Sequence, residues 1–187
     1  MLAARSRLWP PNRRAVSAPF DWITPELAVG GCWDALSPED LAQLGVGAVI
    51  DLRDEACDDV AALEGRAIRF LHLPTPDLHP PSQAMLDQGV DFAATAQAAG
   101  RRLLVHCQHG IGRSPLLALC IMVAGGAAPL DALAQLKDAR ACVSPSPAQY
   151  GAWVEWLQKR RMQTGAAWVA PDFEVFAALA YRHLAMT

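Results

Sequence analysis

Val105-His-Cys-Gln-His-Gly-Ile-Gly-Arg-Ser114 lies between two apolar runs of different kinds. Leu103-Leu-Val105 leads in; it is short and ends on a β-branched residue, the pattern of a buried strand. Pro115-Leu-Leu-Ala-Leu-Cys-Ile-Met-Val-Ala124 leads out; it is long enough for a helix, apolar all round, and carries its proline where a first turn tolerates one. A strand, a glycine-containing loop and a helix in succession point backbone N–H groups and the positive end of a helix at one spot, which favours an anion. Cys107 at the start of that loop faces the helix end and Arg113, and both favour a thiolate over a thiol. The Arg113 guanidinium is a planar fork that matches two phosphate oxygens. Gly110 and Gly112 free the backbone to turn its N–H groups inward. Ser114 offers a hydroxyl to the sulfur, and His106 is expected behind the loop, holding its shape through a side-chain hydrogen bond.

Outward from this centre, strands and helices alternate. Trp22 to Gly31 reads as one strand, at an edge, closed by a turn. Ser37-Pro-Glu-Asp40 reads as a helix start, with Ser37 as N-cap, Pro38 at the first helical position and acids in the first turn; the helix ends near Gly45. Gly47 to Arg53 and Ala67 to Leu73 are the next strands. Ser82 opens an alanine-rich helix to about residue 99. Further helices are expected from Leu130 to about Ala141 and from Ser146 to about Gln163, and an amphipathic one from Asp172 to Leu184. This alternation predicts an α/β domain with a mainly parallel central sheet flanked by helices, its ligand loop at the C-terminal end of a strand.

The chain has 187 residues, enough for one domain with decoration at its ends. A hydrophobic fraction of 52% against 19% charged residues permits a sizeable core. A net charge of −3 without a basic patch argues against nucleic acid as a partner, and no apolar stretch reaches the length of a membrane span. The five cysteines include no C-x-x-C pair, which suits a reducing, cytoplasmic setting and argues against a disulfide framework or a zinc site. Residues 1–20 hold four arginines and no acid, without the apolar core of a secretory signal, and read as a flexible basic arm. Residues 21–163 then form the globular domain and 164–187 a helical extension.

His106, Cys107, Gly110, Arg113 and Ser114 together resemble the His-Cys-x5-Arg-Ser/Thr signature of the cysteine-dependent protein tyrosine phosphatases. Thr24 to Gly31, Val49 to Glu55, and Val143 to Gln149 followed by Trp153 and Trp156 look like parts of the small, atypical dual-specificity members, so the resemblance spans roughly residues 20 to 160. It implies a phosphatase for phosphotyrosine, extending to phosphoserine and phosphothreonine in proteins, that works through a phospho-cysteine. It needs no metal or other cofactor, since loop and arginine supply the electrostatics. Gln108, His109, Gly110, Ile111, Gly112 and Arg113 would hold the substrate phosphate, with Gln108 and Ile111 as its rim. Asp77, the one acid in the proline-dense Leu73–Ser82 segment and 30 residues before Cys107, is the expected general acid; Asp54 and Asp87 are weaker choices. Gln149 reads as a helix-surface residue with water orientation as its functional alternative, and Cys32, Cys120 and Cys142 read as inert. The competing readings are a rhodanese-like sulfurtransferase, a phosphate-binding module without turnover, and a phosphatase for a phospholipid or other non-protein phosphate. The oligomeric state is not legible.

Overall fold

The structure is a computed structural model and describes residues 19–184. The basic arm expected over residues 1–20 lies outside the described residues up to residue 18; Phe20 already opens the first strand.

Five strands form one sheet in the order β1-β2-β5-β3-β4. They are β1 (Phe20–Trp22), β2 (Leu27–Gly30), β3 (Val46–Arg53), β4 (Arg69–Thr75) and β5 (Arg102–His106). β2, β5, β3 and β4 run parallel and β1 pairs antiparallel with β2, so the sheet is mixed, with its one antiparallel strand at the edge. The single edge strand expected from Trp22 to Gly31 is therefore two. Thr24-Pro-Glu26 breaks it: the Thr24 hydroxyl accepts from the Glu26 and Leu27 N–H groups, a side-chain turn that folds β2 back on β1 and puts β2 inside the sheet.

Helices cover both faces. α1 (Pro38–Gln43) and α2 (Val60–Glu64) pack on one side, where Leu41, Leu63, Val49 and Leu104 share an apolar layer. α1 starts at the expected Ser37, which forms a capping box with Asp40. α2 was not anticipated; it is a single turn or so, capped by Asp59, too short to show an apolar period. The opposite face carries α3 (Gln83–Ala98), α4 (Arg113–Ala124), α5 (Pro129–Ala139), α6 (Pro147–Thr164) and α7 (Phe173–Ala180). α4 is the hub: every residue from Arg113 to Val123 is buried, which is why its sequence is apolar all round. Cys120 packs in this core. α7 is shorter than expected, and its Phe176 is fully buried against Tyr150 and Trp153 of α6.

Because four strands are parallel, their C-terminal ends lie along one edge. Gly30, Arg53, Thr75 and His106 are those ends, and the loops that follow them converge on Cys107.

Candidate active site

The loop from Cys107 to Gly112 turns tightly over the N-terminus of α4. Gly110 has φ +69°, and a Cβ there would lie 2.4 Å from the Gly30 carbonyl carbon, so both the turn and the close approach to β2 require glycine. Gly112 is needed for space alone. Its φ of −127° is open to any residue, but a Cβ would lie 2.5 Å from Gln149 Oε1. Pro115 occupies the first turn of α4, where its missing N–H is harmless.

Cys107 is buried at the loop's mouth. The Gly110 N–H donates to its Sγ at 3.3 Å, and Ser114 Oγ lies 3.3 Å from the same sulfur. Ser114 also lies within reach of the Gly30 carbonyl, at 3.2 Å, and its single hydroxyl proton serves carbonyl or sulfur, not both. A cavity of about 120 Å³ opens onto Cys107, with Asp77, Leu78, Ile111, Gly112 and Gln149 in its walls. His109 stands exposed at its edge. A larger groove, about 750 Å³, runs between α6 and residues 165–172 and is lined by Leu157, Met162 and Trp168, without a nucleophile.

Arg113 is almost wholly buried, and three hydrogen bonds and an ion pair fix its plane. Nη1 donates to Glu55 Oε2 and to the Thr75 carbonyl, each at 2.8 Å, and Nη2 donates to Glu55 Oε1 at 2.8 Å and lies 3.2 Å from Asp77 Oδ1. Its Nε is buried and has no hydrogen-bond partner among the described residues. That N–H suits an anionic oxygen. The bidentate bond to Arg113 holds the Glu55 carboxyl well down, at about 2.

Behind the loop, His106 does not hold the loop itself. Its Nε2 donates to Asp58 at 2.8 Å, across to the segment that follows β3. Asp58 also accepts from Trp33 Nε1 at 3.2 Å and from Arg53, and Arg53 is paired with Asp51 as well. His106 thus ends a buried charge cluster that ties β5 to β3. Asp51, Asp58 and His106 have the ligand spacing of a metal site, but the Arg53 guanidinium is already paired with both carboxylates.

The structure brings Cys107, Arg113, Ser114 and Asp77 together. Gln149 departs from its reading as a surface residue: it is buried and lines the cavity, because α6 points its N-terminus at the site. Gln108 turns away, its amide directed at Cys32 Sγ at 3.7 Å. Glu55 and Arg140 went unrecognised. Arg140 donates to the carbonyls of His109 and Gly110, each at 3.0 Å, and its other end meets Asp21 of β1. No local pattern marks it, since its partners lie far away in sequence. Glu55 had one available signal, a carboxylate just past the end of a parallel strand.

Residues 29–159, more than half the chain, match the family model for the dual specificity phosphatase catalytic domain. The chain belongs to that family. Human dual specificity protein phosphatase 16 is 31% identical over 147 residues, covering 78% of this chain and 22% of that protein. Zebrafish dual specificity protein phosphatase 22-B is 26% identical over 153 residues, covering 81% of each. The chain thus spans only 22% of the length of human dual specificity protein phosphatase 16, and 33% of that of human dual specificity protein phosphatase 1. The crystal structure of a mouse putative dual specificity phosphatase complexed with zinc tungstate superposes with a TM-score of 0.72 at 20% identity, covering 82% of this chain and 95% of that one. The crystal structure of PTPMT1 gives 0.70 at 22% identity over 78% and 98%. These likenesses establish the phosphatase fold around Cys107. No helix among the described residues is long and apolar enough to cross a membrane.

Proposed function

We propose that this chain is a cysteine-dependent phosphatase that hydrolyses phosphomonoesters in proteins, phosphotyrosine first and phosphoserine or phosphothreonine after it, in the cytoplasm. The observation that carries the reading is the placement of Cys107 Sγ at the mouth of a loop whose Gly110 N–H already donates to it, beside an Arg113 whose buried Nε–H has no hydrogen-bond partner among the described residues. Family membership and the cavity wall formed by Asp77 support it.

In this reading the phosphate docks on the N–H groups of the loop, Gln108 to Gly112, and on Arg113. The Cys107 thiolate attacks phosphorus, a sulfur–phosphorus bond forms, and the ester oxygen leaves with the proton of Asp77. Asp77, now ionised, takes a proton from water as that water attacks phosphorus and breaks the bond to sulfur. Ser114 stabilises the departing thiolate. The charge on the transferring group is met by fixed N–H dipoles and Arg113, so the electrostatic work is done before the substrate arrives. His106 fixes the end of β5, from which the loop departs, through its bond to Asp58.

The test is hydrolysis of para-nitrophenyl phosphate in the presence of a metal chelator by wild type, Cys107→Ser and Asp77→Ala. Chelator-resistant turnover that vanishes in Cys107→Ser and falls in Asp77→Ala is expected. Absence of turnover in fresh, reduced wild type overturns the reading, and thiosulfate sulfur transfer and phosphopeptide binding are then assayed.

A further inference from the structure

Asp77 sits on a strained turn. The His79 N–H donates to the Pro76 carbonyl at 3.2 Å, which closes a β-turn with Asp77 and Leu78 at its two central positions. Leu78 has φ +63°, a left-handed conformation that a leucine adopts only when its surroundings impose it. The Leu78 side chain cannot impose it, since it is exposed.

The start of α6 supplies the constraint. The Ser146 hydroxyl donates to the Leu78 carbonyl at 3.1 Å, and Gln149 Nε2 donates to the His79 carbonyl at 3.1 Å. Both donors are themselves fixed. The Gln149 N–H donates to Ser146 Oγ at 3.3 Å and the Ser146 N–H donates to Gln149 Oε1 at 2.8 Å, a capping box. Gln149 is 2% exposed, and its amide packs on Gly112 of the phosphate-binding loop, where a Cβ would collide with it. One buried amide therefore touches both the turn that carries Asp77 and the loop that carries the phosphate.

We propose that Gln149, with Ser146, is a positioning residue that latches the Asp77 turn over the cavity and so sets the distance between the acid and the leaving oxygen. The inference rests on the assignment of Asp77 as general acid. Without the latch the turn relaxes out of its left-handed residue, Asp77 moves off Arg113, and protonation of the leaving group is lost while attack by Cys107 continues. A misplacement on the order of 1 Å costs about a hundredfold in rate where the proton is needed.

The experiment is a leaving-group series of aryl phosphates, from acidic to weakly acidic phenols, with the full chain as wild type, Gln149→Met, Asp77→Asn and the double variant. Gln149→Met keeps the volume and removes the donor. Its kcat is expected to fall least with the best leaving group and about ten- to a hundredfold with the poorest, and the double variant is expected to match Asp77→Asn. Ser146→Ala, which removes the Leu78 contact, is taken through the same cycle in case Gln149→Met folds poorly. A uniform fall across the series, or a double variant slower than Asp77→Asn by the full Gln149→Met factor, overturns the latch and leaves the acid in place. An Asp77→Asn variant with no leaving-group dependence overturns the acid assignment, and the latch with it.

Discussion

The Glu55 carboxylate meets the Arg113 guanidinium edge to edge, through two hydrogen bonds of 2.8 Å. The pair joins the end of β3 to the start of α4, and it sets the plane of the one cation that faces the substrate phosphate in the proposed reaction. A neutral amide at the same position keeps the volume but cannot accept both N–H groups. Glu55→Gln is expected to lower kcat/KM about tenfold for every phosphate ester, good or poor leaving group alike, because it acts on phosphate orientation and not on proton transfer. Steady-state kinetics on two aryl phosphates of different leaving-group acidity checks this; a fall confined to the poorer leaving group contradicts it.

The same pair gives a pH dependence with a definite sign. The Glu55 carboxyl is held at about 2 in the folded protein, against about 4.3 in an unfolded chain. Its stabilisation is therefore complete above the unfolded value and is lost as pH falls toward 2. Glu55 is 42% exposed, so solvent screens the pair and the contribution is about 1 kcal/mol. The melting temperature of Glu55→Gln is expected to lie below wild type at pH 7 and to converge with it only as the pH approaches about 2. A gap that widens with acid contradicts the assignment.

Asp58 serves three donors at once, His106 Nε2, Trp33 Nε1 and Arg53 Nη2. Asp58→Ala leaves a fully buried imidazole without its hydrogen-bond partner at Nε2 and removes one of the two buried carboxylates paired with Arg53. Breaking such a cluster from one side costs about 3 kcal/mol, to be read from urea denaturation. Activity is expected to fall with it, since His106 directly precedes Cys107 in the chain. A stability change under about 1 kcal/mol refutes the cluster's structural weight.

Arg140 and Gly110 fix the outer side of the loop from Cys107 to Gly112. Arg140→Ala frees the carbonyls of His109 and Gly110 and the Asp21 carboxylate. The expected result is a raised KM, about tenfold, with a small change in melting temperature. Gly110→Ala is expected to be far worse, because its Cβ meets the Gly30 backbone on a buried strand and its φ of +69° is unfavourable as well. Kinetics and thermal melts of the two variants separate a loosened loop from a rebuilt one; equal behaviour contradicts the geometry.

What the sequence made legible follows from how local each signal is. Ser37, Ser82 and Ser146 mark helix starts because a cap bonds its own third residue. The Cys107 loop is legible as a unit because its cysteine, glycines, arginine and serine fall within eight consecutive residues. Trp22 to Gly31 misled because its apolar pattern continues across a reversal set by one threonine hydroxyl. Gln149 misled because an isolated glutamine in a helix is usually solvated; only the direction of α6, fixed by Trp153 and Trp156 in the core, turns it toward the site. Glu55, Arg140 and Asp58 act over sequence separations that no local pattern records.

Phe176 decides whether the C-terminal helix is an ornament. Its ring is wholly buried, within 4.7 Å of the Tyr150 centroid and 6.0 Å of Trp153. The same helix ends beside the site: the Tyr181 hydroxyl donates to the Pro145 carbonyl at 2.6 Å, and Lys137 donates to His183, whose other nitrogen faces Ser144. The Ser144 N–H in turn donates to the Ile111 carbonyl of the Cys107 loop at 2.8 Å. Phe176→Ala removes the anchor and leaves a cavity among aromatic rings, at a cost of about 3 to 4 kcal/mol. If α7 is one cooperative unit with the sheet, chemical denaturation shows a single transition shifted by that amount. Activity per folded molecule also falls, because Ser144 loses its support. A helix that merely drapes over the surface would give a shift under about 1 kcal/mol and unchanged turnover.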